Sequence, residues 1–236
     1  MQLNYHNIIN QDKSLGKATI YIAFISIDDY KQEASQLISS IANTSWLKML
    51  DKIDRISFET KVNNTAKKMI EIFKSAQSTN KIQKDFGEYL ISLKSSEHLA
   101  TKHHHKQFPL SELWKEKVSG NGGFDFHTES PSEHITFGEA KYRSRENAYA
   151  DATIQIVEFI SPENNKDLGD ASYLRDLKAS INSLNNLING NRNFAAGFSL
   201  HSKNYKLMEM HLMKDPNVLE LINVAEELFL IGFEIC

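Results

Sequence analysis

The sequence predicts an α+β fold in which helices flank a sheet, with a mainly helical lobe at the N-terminus. Two patterns indicate this class. Between residues 30 and 99, apolar residues recur at spacings of three and four, which is the period of an α-helix. Stretches rich in β-branched and aromatic residues lie before and after this run, as expected of strands. Of the 236 residues, 41% are hydrophobic and 24% are charged, values typical of a folded globular chain.

The first half of the chain is predicted to begin with a strand and to continue with helices. The segment ATIYIAFISI, at 18–27, has the composition of a buried strand and ends before two aspartates. Three or four helices are expected within 30–99. The segment TKHHHK, at 101–106, is wholly polar, so we expect a linker or mobile loop there, between two lobes.

The second half is predicted to open with a β-hairpin. A short helix at 111–118 and a glycine-rich turn at 119–123 precede two strand-like segments, GFDFH and ITFGEAKYR. The polar residues between these segments include a proline, which favours a hairpin loop. The remaining elements are expected in this order: helices at 146–160 and 171–187, strands at 194–201 and 205–213, a helix from Asn217, and a strand near 229–235.

The hairpin is predicted to bring two carboxylates and a lysine together. Side chains alternate along a strand, so Glu139 and Lys141 project from the same face. If the paired residue numbers sum to 264, Asp125 lies opposite Glu139 with Cβ atoms about 5 Å apart. A register shifted by two residues makes the two carboxylates diagonal neighbours at roughly 7 Å. Either register leaves them close enough to share a metal ion.

Magnesium is the cation that best suits such a pair of carboxylates. Two neighbouring carboxylates repel each other unless a cation lies between them. Mg²⁺ prefers oxygen ligands and commonly uses one or two protein carboxylates together with waters and phosphate oxygens. Phosphodiester hydrolysis needs the water activation and charge neutralisation that such an ion provides. Lys141 would orient the water or stabilise the developing charge, and Arg143 and Arg145 would position the phosphate backbone.

A purely structural interpretation of the hairpin is also open. An exposed cross-strand pair of Asp125 or Glu139 with Lys141 would contribute less than ~1 kcal/mol to stability and have no catalytic role. Because the D…E-x-K spacing is short, the neighbouring residues must decide between the two interpretations.

Three phrases in order, DFGEYL at 85–90, GGFDFH at 122–127 and FGEAKYR at 137–143, resemble the PD-(D/E)xK nuclease superfamily. They are most similar to the nuclease subunit of the Hachiman anti-phage defence system and its relatives. The resemblance implies a restriction-endonuclease-like core at 81–236, built on a mixed sheet, and a separate N-terminal lobe at 1–80. It implies a metal-dependent nuclease that hydrolyses DNA phosphodiester bonds, using Mg²⁺ or, as a substitute, Mn²⁺.

The resemblance also assigns roles to individual residues. It implies Asp125, Glu139 and the backbone of Ala140 as metal ligands, and Lys141 as the catalytic lysine. It further implies Glu88 as an added acidic catalytic residue and metal ligand from the preceding helix. The alternative for Glu88 is a solvated side chain, because it lies opposite the apolar stripe of its helix. Phenylalanine precedes the catalytic aspartate here, where the superfamily is named for proline.

Several further polar residues near the hairpin are weaker candidates. His127 would contact substrate or cap the hairpin. Gln155 and Tyr149 lie on the helix where some superfamily members place substrate-contacting residues, although packing and solvation explain them equally well. The histidines at 103–105, with His127 and His134, could suggest zinc, but adjacent histidines lack the usual ligand spacing.

Charge and cysteine content bear on partners and location. A net charge of -3 and a pI near 6.3 give no global attraction to nucleic acid, so we expect a helicase partner to supply much of the grip on DNA. The alternatives are a stand-alone restriction or repair endonuclease and a non-catalytic binding subunit that keeps the nuclease fold. The only cysteine is Cys236, which excludes an intrachain disulfide, and no stretch reaches the roughly 20 apolar residues of a membrane span. We therefore expect a cytoplasmic protein without membrane insertion.

Overall fold

A mixed seven-stranded sheet forms the centre of the protein. The structure, a computed structural model, describes residues 1–78, 82–115 and 123–235. Within these residues the strands are β1 (Gln2–Ile9), β2 (Thr19–Ile27), β3 (Lys106–Gln107), β4 (Phe126–Glu129), β5 (Ile135–Lys141), β6 (Asn193–Ser199) and β7 (Glu227–Ile235). Their order across the sheet is β1-β2-β7-β6-β5-β4-β3. The pairs β2–β7, β6–β7 and β5–β6 are parallel, and the other pairs are antiparallel.

Helices cover this sheet, which confirms the predicted fold class. In the described part of the chain they are α1 (Tyr30–Ala42), α2 (Lys52–Ser78), α3 (Lys84–His103), α4 (Ser111–Trp114), α5 (Tyr149–Ile160), α6 (Lys166–Gly169), α7 (Ala171–Asp176), α8 (Ile181–Ile188), α9 (Tyr205–Leu212) and α10 (Pro216–Val224), with a 3₁₀ helix at Ser45–Met49. Helix α3 packs closely on β6 at Gly197, where a Cβ atom would lie 2.5 Å from the Ser95 hydroxyl. Helix α5 packs near the hairpin, with Phe159 against Phe124. None of the helices in the described ranges is long and apolar enough to cross a membrane.

The N-terminal strands belong to the same sheet as the C-terminal strand. Strand β2 runs parallel to β7 along its whole length, from Thr19 opposite Glu227 to Ile27 opposite Ile235. Strand β1, which the sequence did not predict, pairs with β2 at the sheet edge and is polar and partly exposed. The sheet therefore contains strands from both sides of the predicted domain boundary at residue 80.

The segment at 101–106 is ordered structure, so the predicted linker is wrong. Its first residues end α3, and its last residue begins β3. The ring of His103 packs edge-on against Phe229, with centroids 5.0 Å apart. His105 is buried and its Nδ1 lies 2.8 Å from the Thr128 hydroxyl. The histidines pack into the core as neutral rings because burial lowers their pKa, to about 4 for His103 and about 3 for His105.

The predicted strand at 205–213 is instead the helix α9. The Asn204 side chain caps its N-terminus by accepting a hydrogen bond from the Leu207 amide at 3.1 Å. Met208 and Leu212, four residues apart, are its buried residues. The apolar spacing of this segment thus follows the helical period and not the alternation of a strand.

The predicted helix at 171–187 is interrupted. Lys178 has a left-handed backbone with φ of 66°, which ends α7, and the Ser180 hydroxyl accepts from the Ser183 amide to begin α8. The predicted turn at 119–123 and the end of the helix predicted at 111–118 fall mostly on 116–122, outside the described residues.

Candidate active site

The β4–β5 hairpin has the first of the two registers that the sequence left open. Phe126 pairs with Gly138 and His127 with Phe137, so the paired numbers sum to 264. Asp125 lies one residue before the paired segment, which ends at Phe126 and Gly138, and its amide donates to the Gly138 carbonyl at 2.8 Å. Its carboxylate is nevertheless close to Glu139, whose pKa it raises.

Gly138 lets the two strands pack closely at this point. The ring of Phe126 lies across Gly138, and a Cβ atom there would sit 2.2 Å from the ring. Any larger residue would displace the ring and change the spacing of the hairpin. The glycine before Glu139 thus helps to set the distance between the two acidic residues.

Asp125 and Glu139 are held in different ways. One Asp125 carboxylate oxygen, Oδ2, accepts a hydrogen bond from the Ala140 amide at 2.9 Å. Glu139 is only 1% exposed, and its Oε1 accepts from the Lys141 ammonium at 2.6 Å. The other oxygen, Glu139 Oε2, is buried without a hydrogen-bond partner. A buried carboxylate oxygen in this state is costly unless a cation approaches it.

The electrostatics of the cluster show an excess of negative charge. Burial raises the pKa of Glu139 well above its usual value, and the neighbouring Asp125 carboxylate raises it further, while Lys141 opposes both effects. Burial alone would lower the pKa of Lys141, but the nearby carboxylates, with Glu139 foremost, outweigh burial and raise it. One lysine does not balance two ionised acids, so the Glu139 carboxyl favours its protonated form unless a further cation lies between the two carboxylates.

Glu88 lies at the rim of the same site. It stands near the start of α3, is 23% exposed along its side chain, and has Lys84 Nζ 3.6 Å from its Oε1. Burial raises the pKa of Glu88, and the positive charge of Lys141 opposes the shift. Glu88, Lys141 and Gln155 line one open groove of about 500 Å³. Glu88 therefore faces the cluster, and its role as a metal ligand stays a prediction.

The donor atoms of the cluster fit magnesium. Over residues 1–78, 82–115 and 123–235, no three His, Cys, Asp or Glu side chains are grouped so that they could hold a metal ion. The pair of Asp125 and Glu139 offers oxygen ligands only, with one buried oxygen unpaired. Such a pair suits Mg²⁺, which retains several waters and takes oxygens from phosphate. Ala140 contributes its amide to Asp125, and metal binding by its backbone carbonyl stays a prediction.

The two arginines after β5 differ in their surroundings. The Arg143 guanidinium makes two hydrogen bonds to Asp151, at 2.5 and 2.8 Å, and one to Glu146 at 2.7 Å. Contact with a phosphate would require Arg143 to exchange these partners. Arg145 lines a neighbouring hollow beside Lys84, and its predicted contact with nucleic acid is not tested by the structure.

His127 does not reach the groove. Its ring is completely buried, with Nδ1 3.0 Å from the Ser111 hydroxyl and Nε2 2.9 Å from Asp170 Oδ2. Contact with nucleic acid is excluded by this burial, which corrects that prediction, and the role of His127 is structural. Ser111, Lys115 and Asp170 were not identified in the sequence, because nothing in the spacing of three such distant residues indicates that they meet.

The other candidates divide between groove and core. Gln155 faces the groove next to Lys141, whereas Tyr149 packs edge-on against Phe198 with centroids 6.0 Å apart. His134 lies in the hairpin loop, where its Nδ1 is 3.3 Å from the Ser132 hydroxyl. Its position and those of His103 and His105 are thus explained by local contacts.

Fold and site together define a mixed α/β protein with a carboxylate–lysine cluster at one end of a β-hairpin. Comparison with protein-family models, with curated proteins and with solved structures finds no match. Assignment to a nuclease family therefore rests on the three sequence phrases and on the geometry of this cluster.

Proposed function

We propose that this protein is a metal-dependent nuclease that hydrolyses DNA phosphodiester bonds. Asp125 and Glu139 would bind the magnesium ion, and Lys141 would be the catalytic lysine. The observation that carries the proposal is the buried Glu139 carboxylate, which has one unpaired oxygen, the Asp125 carboxylate nearby and a lysine 2.6 Å from its other oxygen. A hairpin salt bridge with no catalytic role would not need a second acid beside a buried one.

Each residue of the cluster has a distinct chemical task. The Ala140 amide fixes Oδ2 of Asp125, which leaves the other carboxylate oxygen available as a ligand. Bound Mg²⁺ would polarise the phosphoryl group and lower the pKa of a bound water. Lys141 lies at the groove, and the surrounding carboxylates keep it protonated by raising its pKa. It is thus suited to donate hydrogen bonds to the attacking water or to the phosphate, and not to accept a proton.

The charge of the chain favours action together with a partner. The net charge is -3, and in the groove the acidic Glu88, Asp151 and Glu158 offset the basic residues, which are Lys84, Lys141 and Arg143. A protein with this balance gains little affinity from phosphate neutralisation. We infer that a helicase supplies DNA binding and strand separation, and that the setting is bacterial anti-phage defence, as the similarity to the Hachiman nuclease implies.

The test is cleavage of linear duplex, circular duplex and single-stranded DNA in the presence of Mg²⁺. Replacing Glu139 by Gln or Lys141 by Met should lower the rate by at least about a hundredfold. Lys141→Met should still bind Mn²⁺, because only a donor is lost, whereas Glu139→Gln should not. Glu129→Gln is the matched control, since Glu129 is a buried acid on the same hairpin that accepts from Ser183 at 2.7 Å instead of facing the groove.

Two outcomes would contradict the proposal. Equal cleavage by the native protein and both site variants would place the activity elsewhere or in a contaminant. Absence of both Mn²⁺ binding and cleavage, alone and with a helicase partner, would favour a non-catalytic binding subunit. Cleavage by the native chain alone at full rate would favour the stand-alone endonuclease.

A further inference from the structure

A buried polar network lies behind the hairpin, away from the groove. The His127 ring connects the Ser111 hydroxyl, 3.0 Å from Nδ1, with Asp170 Oδ2, 2.9 Å from Nε2. Lys115 Nζ also donates to Asp170 Oδ2, at 2.5 Å. Because a carboxylate only accepts, Nε2 of His127 carries the proton, and Nδ1 of the neutral ring accepts from the serine. Every member of the network thus has a partner.

The network also holds the main chain on both sides of Asp125. The Ser111 amide donates to the Asp125 carbonyl at 3.1 Å, and Lys115 Nζ lies 3.3 Å from the Phe124 carbonyl. These two carbonyls belong to the two peptide groups that flank the Asp125 Cα atom. Since peptide groups are planar, fixing both of them fixes the backbone dihedrals of Asp125 and the direction of its Cα–Cβ bond, from which the carboxylate reaches the Ala140 amide.

A hydrolytic role for these residues is excluded by their burial. Serine, histidine and aspartate in this arrangement resemble the constellation that activates a serine nucleophile. However, Ser111 is 3% exposed and His127 is 0% exposed, so no substrate carbonyl can approach the hydroxyl. Stabilisation of the fold is the other role open to the network, and it must be separated from positioning by experiment.

From this geometry we propose that His127 and Asp170 are positioning residues for the Asp125 carboxylate, acting through Ser111 and Lys115. The inference rests on the proposed function, because it requires Asp125 to bind the metal. Asp170 holds both Lys115 and His127, so it determines where the two groups that bind the Asp125 main chain lie. Residues that orient a metal ligand commonly affect metal affinity or activity by about 10- to 100-fold.

Asp170→Asn is the test variant, because it keeps the shape of the side chain and removes the charge. The matched control is Asp167→Asn, the same change at an acid that is 1% exposed and lies three residues earlier, bound to Arg192 at 2.8 Å. Mn²⁺ affinity by calorimetry, thermal stability, and kcat and KM for DNA are measured for each. Asp170→Asn should lower the melting temperature, because its partners lower the pKa of Asp170, whereas Asp167→Asn should not, because burial raises the pKa of Asp167. Only Asp170→Asn should weaken Mn²⁺ binding, by roughly tenfold, and lower kcat with little change in KM.

The outcomes separate this inference from the proposed function. If the native protein binds Mn²⁺ and Asp170→Asn keeps the native Mn²⁺ affinity and kcat, the positioning role of Asp170 is refuted. The proposed nuclease function is then unaffected. Equal loss of affinity in Asp167→Asn would show a general effect of removing a buried carboxylate and would also refute the positioning role. If Asp170→Asn does not fold, Ser111→Ala serves instead, with an expected loss of a few-fold. Absence of Mn²⁺ binding in the native protein would overturn both.

Discussion

Replacing Glu139 by Gln is expected to stabilise the metal-free protein at neutral and alkaline pH, contrary to the usual effect of a change in the core. Burial and the Asp125 carboxylate raise the pKa of Glu139 in the folded protein, whereas the unfolded chain has an ordinary glutamate. The folded protein therefore binds more protons in the interval between the two pKa values. Stability must fall as the pH rises through this interval, and glutamine removes that loss.

The magnitude follows from linkage. Each pH unit by which folding raises the pKa of Glu139 costs about 1.4 kcal/mol once both states are ionised. The glutamine oxygen can still accept from Lys141, so this contact is not the main loss. Mg²⁺ at a hundred times its dissociation constant should stabilise the native protein by about 2.7 kcal/mol, and this gain should disappear in Glu139→Gln. For a chain of this size, 1 kcal/mol corresponds to roughly 2–4 °C in melting temperature.

The assay is thermal unfolding between about pH 5 and pH 8, with and without Mg²⁺, which covers the range where glutamates with raised pKa values titrate. Glu129→Gln is the control, because folding shifts the pKa of Glu129 in the opposite direction. Burial works to raise the pKa of Glu129, but hydrogen bonds from Ser180 and Ser183 outweigh it and lower that pKa. Glu129→Gln should therefore be destabilised at neutral pH and keep its response to Mg²⁺. A Glu139→Gln protein that is less stable than native at pH 8 without metal, and equally stabilised by Mg²⁺, would refute the reasoning.

Two further predictions concern packing near the site and the buried histidines. Gly87→Ala would place a Cβ atom 2.3 Å from Cγ of Tyr142, so we expect a loss of about 1–3 kcal/mol in urea unfolding and slower cleavage. Gly169→Ala, which meets nothing within 4 Å, should change neither, and a normal Gly87→Ala protein would contradict the packing. Burial lowers the pKa of His103 from 6.5 to about 4. Between these values the folded protein binds fewer protons than the unfolded chain, so its free energy of unfolding falls by up to about 3 kcal/mol as the pH falls through this interval. His103→Phe keeps the ring against Phe229 and should lose less stability between neutral pH and pH 4.5 in urea titrations, whereas an equal loss would exclude His103 as a cause.

The parts of the fold that the sequence predicted correctly are those with strong local patterns. The hairpin followed from alternation along ITFGEAKYR and from a short polar loop, which are properties of neighbouring residues, whereas its register was left open between two alternatives. The segment at 205–213 was assigned to the wrong class because a short apolar run fits either period, and its cap at Asn204 lies outside the run. His103 and His105 were assigned to a polar loop because burial of a neutral ring depends on distant partners such as Phe229.

The site was predictable only in part, for a similar reason. Glu139 and Lys141 are two residues apart and their proximity is a local property of a strand. The network behind Asp125 joins Ser111, Lys115, His127 and Asp170, which meet only through the tertiary fold. His127 was considered for the groove because it follows Asp125 by two residues and alternation then places both on one face. The structure shows instead that its ring is buried against Trp114 and Phe137.

The contrast between two buried acids of the hairpin supports the proposal that Glu139 is retained for binding a cation. Glu129 receives hydrogen bonds from the Ser180 amide and the Ser183 hydroxyl, so the fold supplies its partners. Glu139 has Lys141 on one oxygen and no hydrogen-bond partner on the other, beside a second acid. Leaving a buried group unsatisfied typically costs about 1–3 kcal/mol, and glutamine would remove the charge repulsion with one change. A carboxylate kept at this cost next to Asp125 is what the proposed metal site requires and what a structural salt bridge does not.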